Sequence, residues 1–532
     1  MSVFHKSPCD AGVISGASIP AEAAGAGRGQ WVLVAAVLGS SMVFIDSSVV
    51  NVALPTIQED LGATAAATQW IVESYALLLA ALVLVGGALG DRLGRRRVFV
   101  IGTVLFTLAS IWCALANSPG MLVTARAAQG VAGALLTPTS LALISASFHD
   151  ETERGRAIGT WSGFTAITAA IGPVLGGWLV DTASWRWIFI INVPLGIAIL
   201  AVALRRVPES RDPAVQKIDW WGALLTTVGL GGLVFGLIEA PVAGWTDPLV
   251  VASLVVGALS LIAFVVVEAR IDAPMMPLGL FRSRTFSGAN LLTFFLYAAL
   301  GGALYFFPFL LIQVQGYGST AAGAALLPFV LLLFVLSRWS GGLIGRFGAR
   351  LPLVVGPVIA AIGFGLFMLP GIGGSYWTTY FPAVVVLGLG MAVTVAPLTT
   401  AVMGAVGPDR AGIASGINNS VARTASLLAI AILGIAVSTV FTRELDERLD
   451  AAGLDPAVTM AVRDQAGDLA AAQAPAGADA ETQAEVERIV GRSYLSAFRV
   501  VMAIGAGLAL VSVVCAFMLI EGKVRSPDEE EQ

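Results

Sequence analysis

An all-α membrane protein with fourteen transmembrane helices, built as two six-helix bundles with two helices inserted between them, is what the sequence predicts. Three observations carry this. The chain is 57% hydrophobic and 12% charged, and its mean hydropathy is +0.85, far from an ordinary soluble domain. Its apolar residues gather into fourteen runs, each close to the roughly 20 helical residues that cross a hydrocarbon core about 30 Å thick. A ten-residue pattern also occurs twice, once in each half of the chain. A soluble fold would have to bury nearly every run in protein and is excluded at this density.

The elements follow in order. Residues 1–30 are a Gly/Ala-rich tail without the apolar core of a signal peptide, so no cleavage is expected. Spans 1–6, at 31–54, 67–89, 98–116, 121–147, 157–180 and 187–204, make the N-terminal bundle, 31–205. Linkers and the inserted spans 7 and 8, at 220–240 and 248–268, occupy 206–285. Spans 9–14, at 286–311, 321–344, 351–370, 379–402, 412–441 and 495–520, make the C-terminal bundle, 286–521, and 522–532 is a second tail. Each run must be helical, because in lipid every backbone amide has to be paired within its own segment.

Short-loop arginines set the orientation. One set of loops carries Arg92, Arg95, Arg96 and Arg97, then Arg154 and Arg156, Arg205 and Arg206, Arg282 and Arg284, and Arg346 and Arg350. Opposite short loops carry almost none, so both termini are expected in the cytoplasm of a cell whose plasma (inner) membrane holds the chain. The long loop 442–494, Ala-rich and acidic, lies outside; a short helical hairpin is expected there, without chemistry of its own.

The repeated pattern lies in the link between spans 2 and 3. "GALGDRLGRR" (Gly87 to Arg96) aligns with "GGLIGRFGAR" (Gly341 to Arg350), with Gly345 in place of Asp91. Each copy joins the second and third helices of its half, the mark of two related bundles. Topology alone would accept arginines at any spacing. Here the spacing is specific, so Gly87, Asp91, Arg92, Gly94, Arg95 and Arg96 are candidate gating residues.

Four motifs, in order and on the right spans, make the sequence resemble the major facilitator superfamily, and within it the fourteen-helix drug:proton antiporter branch. They are "GALGDRLGRRR" between spans 2 and 3, "FIDSSVVNVALP" (Phe44 to Pro55) in span 1, "RAAQGVAGALLTP" (Arg126 to Pro138) in span 4, and "GPVLGGWL" (Gly172 to Leu179) in span 5. The resemblance implies proton-coupled efflux of small amphiphilic or cationic compounds, as in multidrug and antibiotic resistance, by alternating access of the two bundles. It implies that Asp91 sits against the N-terminus of span 13, near Gly412, as a latch. Gly172, Pro173, Gly176 and Gly177 are helix-packing residues that let span 5 approach span 1 or 8 closely.

Ionisable groups within spans are costly and mark functional pathways. At a rise of 1.5 Å per residue, Asp46 and Glu73 fall about 12 and 9 Å from the outer ends of their spans, and Arg126 about 8 Å into span 4. Burial favours a neutral carboxyl and a nearby guanidinium favours the carboxylate, a mixture suited to taking up and releasing a proton. Asp46, Arg126 and Glu73 are therefore the proton-coupling candidates. Glu73, Asn51, Tyr297, Tyr305, Asn419 and Arg423 are assigned to substrate, Arg423 because an Arg near mid-membrane needs a partner. Glu239 and Glu268 fall at span ends, where solvation is expected.

Other functions fit less well. No lysine lies in a Gly-Lys-Ser/Thr phosphate loop, which an ATP-driven pump needs. The two histidines, His5 and His149, and the three scattered cysteines, Cys9, Cys113 and Cys515, offer neither a catalytic pair nor a metal or disulfide framework. No enzyme activity, cofactor, metal or nucleic-acid partner is expected. Protons, a small-molecule substrate and the bilayer are the partners, with the proton-motive force as driving force and a monomer as the working unit. A uniporter or symporter of a metabolite on the same fold is the alternative.

Overall fold

A computed structural model describes residues 26–148, 150–211, 218–271, 274–406 and 410–522. Thirteen of its helices are long and apolar enough to cross a membrane, and one shorter apolar helix completes the set. In the order of the spans they are α1 (Ala26–Leu61), α2 (Ala65–Leu93), α3 (Arg95–Ala114), α4 (Pro119–Ser147), α5 (Glu151–Thr182), α6 (Trp187–Arg206), α7 (Trp220–Ala243) and α8 (Pro248–Glu268). There follow α9 (Arg284–Phe309), α10 in two pieces (Ser319–Ala324 and Leu327–Gly341), α11 (Arg350–Leu366), α12 (Phe381–Gly404), α13 (Ala411–Ala452) and α14 (Ala480–Leu519). Local chemistry sets many starts: Thr64, Ser118, Asp219, Ser283 and Asp479 each accept a hydrogen bond from the first turn they cap.

Packing repeats between the halves. In the first, α2 and α3 pack on α4, α1 packs on α5 and α6, and α3 on α6. In the second, α10 and α11 pack on α12, α9 on α13 and α14, and α11 on α14. The two bundles meet along two seams, α5 with α10 and α2 with α13. Inserted helix α7 lies over the second seam, touching both α2 and α13, while α8 packs on α7 and leaves Val251, Val255, Leu259 and Ile262 exposed.

The loop 442–494 is a helical hairpin, as expected, made by α13 and α14 running on past their spans and capped by a helix at Pro456–Asp464 and a turn at Ala466–Ala471. Ion pairs hold it: Arg463 reaches Asp446 at 2.9 Å and Asp450 at 2.5 Å, and Arg448 pairs with Glu444. The cap turn also touches α1 and α2 of the other bundle. The helix-5 glycines pack on α1 and on α10, whereas α8 is peripheral. A Cβ on Gly172 or Gly176 would strike Ser48 or Val49 of α1, and one on Gly177 would strike Ser319 of α10. Gly323 of α10 approaches Pro173 just as closely.

Glu268 is 3% exposed rather than solvated, and Glu239 is bonded. Glu268 accepts from the Met276 amide at 2.8 Å, and its other oxygen faces Asp219, because Gly222 between them has no Cβ to keep the carboxyls apart.

Candidate functional site

Asp46 is fully buried inside the first bundle, and both its oxygens are bonded. Arg126 Nη1 donates to Oδ2 at 2.5 Å, while Gln129 Nε2 and Asn192 Nδ2 donate to Oδ1 at 2.9 and 3.0 Å. Arg126 also donates to Gln129 Oε1 at 2.8 Å and to the Ile71 carbonyl at 3.2 Å. Ser110 Oγ accepts from Gln129 and Asn192 at 2.8 and 3.2 Å. Local sequence makes this possible: residues 126 and 129 share one face of α4. A Cβ on Gly130 would come within 2.6 Å of the Tyr75 carbonyl, so α4 sits close enough to α2 for Arg126 to reach Ile71. The guanidinium stacks over the Tyr75 ring, 4.1 Å from its centre.

The span-4 motif pointed to Arg126, Gln129 and Gly130. Asn192, Ser110 and Tyr75 were not singled out, although a lone Asn inside the apolar run of span 6 was a readable sign.

Glu73 does not join this network. It is fully buried on α2, and neither carboxyl oxygen has a hydrogen-bond partner among the described residues. Tyr305 of α9 lies within its electrostatic reach. Tyr305 also forms part of a tightly closed patch beneath the hairpin cap. Gln58, Thr68, Gln69, Phe306, Phe309, Leu469 and Tyr494 close around a void of only about 10 Å³, about one water's worth of space. Leu469 reaches it from the cap with a left-handed backbone, φ 55°, a conformation that costs a non-glycine residue about 1–3 kcal/mol.

Arg423, on α13, is half-buried and has no hydrogen bond or ion pair among the described residues; Tyr75 lies within its electrostatic reach across the seam. Tyr75 thus stands between a paired guanidinium and an unpaired one. Asn51 and Tyr297 are half-buried, the Tyr297 carbonyl accepting from Ser426 at 3.2 Å. Asn419 is exposed and donates to its own helix; its neighbour Asn418 bridges to Asn290 and Thr293 of α9 at 3.1 and 2.7 Å.

In the α2–α3 link, Asp91 pairs with Arg95 at 2.7 Å. The expected contact with the first turn of α13 falls on side chains outside the described residues. Gly94 turns the chain at φ 117°, and Gly87 lies against Pro138. Arg92 is exposed. The amide of Arg96 donates to Glu209 at 3.0 Å, its guanidinium reaches the Val207 carbonyl at 3.2 Å, and the Arg95 amide donates to Ser210 at 2.8 Å. The loop therefore grips the chain leaving α6, and Glu209 sits at the positive end of α3. The second copy does the same: Gly348 turns at φ 74°, and Arg350 donates to the Ile520 carbonyl beyond α14 at 2.7 Å.

At the hairpin end the α5–α10 seam is shut, with Asp181 accepting from the Ser319 and Thr320 amides at 3.0 and 2.8 Å. Toward the arginine-rich end it parts: a Cβ at Gly155, Gly159 or Gly163 would meet nothing within 4 Å.

Residues 36–430 match the family model of the Major Facilitator Superfamily. The chain is 38% identical over 429 residues to "Multidrug resistance protein Stp" of Mycobacterium tuberculosis, covering 80% of this chain and 79% of that one. It is 33% identical over 512 residues to the "Tetracenomycin C resistance and export protein" of Streptomyces glaucescens, covering 94% of each. Among solved structures, an inward-facing bacterial homologue of the human lysosomal transporter Spinster superposes with a TM-score of 0.65 at 16% identity, covering 96% of this chain and 100% of that one.

Proposed function

This chain belongs to the Major Facilitator Superfamily, and on that premise we propose that it exports small amphiphilic or cationic compounds in exchange for protons. The kinship to proteins named for multidrug resistance and tetracenomycin export supports the cargo class and a transporter rather than an enzyme. One observation carries the coupling. Asp46, buried inside the first bundle, holds the buried guanidinium of Arg126. A proton delivered to Asp46 Oδ2 removes the charge that holds Arg126, and its departure restores the pair. Each proton thus switches a buried contact between α1 and α4, a two-state element of the kind alternating access needs.

The arginine-rich end is read as cytoplasmic, with both termini there and the hairpin outside, in the cell membrane. With the outer seams shut and the cytoplasmic half of the α5–α10 seam parted, cargo enters from inside. Glu73 receives the cationic part of the cargo, and Asp91 with Arg92, Arg95 and Arg96 fastens the cytoplasmic side. No bound cofactor is required, and a single chain is the working unit. The test is dye transport in proteoliposomes. An imposed pH gradient should drive uphill movement of an organic cation and collapse with an uncoupler; uphill movement indifferent to the gradient would refute proton exchange.

A further inference from the structure

At the hairpin end, inserted helix α7 meets α2 and α4 around an open groove of about 470 Å³, lined by Thr64, Ala66, Trp70, Gly120, Val123 and Glu239 among others. We propose that this groove holds the headgroup of a phospholipid bearing a primary ammonium, phosphatidylethanolamine, from the adjoining leaflet. The volume is that of a small-molecule site. Glu239 is fixed there: its Oε1 accepts from Trp70 Nε1 at 3.0 Å, and the indole is braced by Phe235, ring centres 6.0 Å apart.

The second carboxylate oxygen takes no hydrogen bond among the described residues. A carboxylate beside an indole ring suits an ammonium twice over, by charge and by the ring's quadrupole. The facing wall is built from the first turns of α2 and α4, whose partial positive charge suits the neighbouring phosphate. Val123, Val242 and Ala66 supply apolar surface around it. A lipid fits better than a free cation because the groove is built from the ends of three membrane-length helices, α2, α4 and α7, where headgroups and interfacial tryptophans are found. The lipid would join α7 to the first bundle at a point where protein contacts leave a gap.

Native mass spectrometry of the purified full-length protein, equilibrated with equal amounts of phosphatidylethanolamine, phosphatidylcholine and phosphatidylglycerol, tests this. The expected result is about tenfold preferential retention of phosphatidylethanolamine. Glu239→Gln should abolish most of that preference. Gly120→Leu should lower retention by filling space, since a Cβ there meets nothing within 4 Å. Equal retention of phosphatidylethanolamine and phosphatidylglycerol by the unaltered protein would overturn the proposal, as would two variants that retain lipid normally. Displacement by tetraphenylphosphonium without any lipid preference would identify a free-cation site and overturn it too.

Discussion

Arg126 Nη1 lies 2.5 Å from Asp46 Oδ2, and both side chains are shut off from solvent. Breaking one side of such a buried pair costs about 3–5 kcal/mol, because the other charge is left uncompensated. Asp46→Asn should therefore lower thermal stability as well as abolish uphill export. Asp46→Asn combined with Arg126→Gln should recover most of the stability and none of the export. Melting temperature and dye efflux, measured on the same membranes, separate the two effects; export by the double variant would remove the pair from coupling.

Glu73→Gln removes a buried carboxyl that no hydrogen bond supports among the described residues. Stability should hold, since the amide has the same size and polarity as the neutral carboxyl and removes only the capacity to carry a costly buried charge. Transport of cationic dyes should fall at least tenfold while neutral compounds continue to leave. Equal loss of both classes in an efflux panel would move Glu73 from cargo recognition to proton transfer.

Glu209→Gln weakens the anion at the start of α3, worth about 0.3–1 kcal/mol, and loosens the grip on the chain leaving α6. Efflux should drop severalfold at normal abundance. Asp91→Asn should drop it similarly if the cytoplasmic side is fastened there. A thiol probe on a cysteine placed in the cytoplasmic vestibule, in a cysteine-free background, should react faster in both variants, and unchanged labelling with unchanged efflux counts against a gating role.

Asp468, in the hairpin cap beside Gln58, has its carboxyl raised above the usual value of 3.8 by burial. A raised acid binds its proton more tightly in the docked cap than in the undocked one. Docking is therefore strengthened below the ordinary value and loses that increment as pH climbs through the raised one. The distance between spin labels placed at 58 and 469 should be shorter on average in mild acid than at neutral pH, and Asp468→Asn should flatten that dependence.

The fourteen helices, the repeat and the Asp46–Arg126 pair were legible because each depends on local composition or on a short motif. Apolar runs announce spans, and acids at the depth of a lone Arg announce a partner for it, although depth alone did not separate Asp46, which pairs with Arg126, from Glu73, which does not. Partners drawn from distant turns were not legible. Asn192 meets Asp46 only because α6 packs on α1, and Glu239 meets Trp70 only because α7 folds back over α2. The helical hairpin was legible but the docking of its cap was not, for a related reason: nothing in a polar, Ala-rich stretch marks Leu469 as the residue that reaches the other bundle.

The seam covered by α7 and the seam left bare make the molecule lopsided. Between α2 and α13 the inserted hairpin stands as a wall against the bilayer. Between the arginine-rich halves of α5 and α10 no inserted helix stands, and a Cβ at Gly155, Gly159 or Gly163 would meet nothing within 4 Å. On the export reading proposed above, with the arginine-rich end inside, a greasy compound dissolved in the inner leaflet would meet one side entrance rather than two.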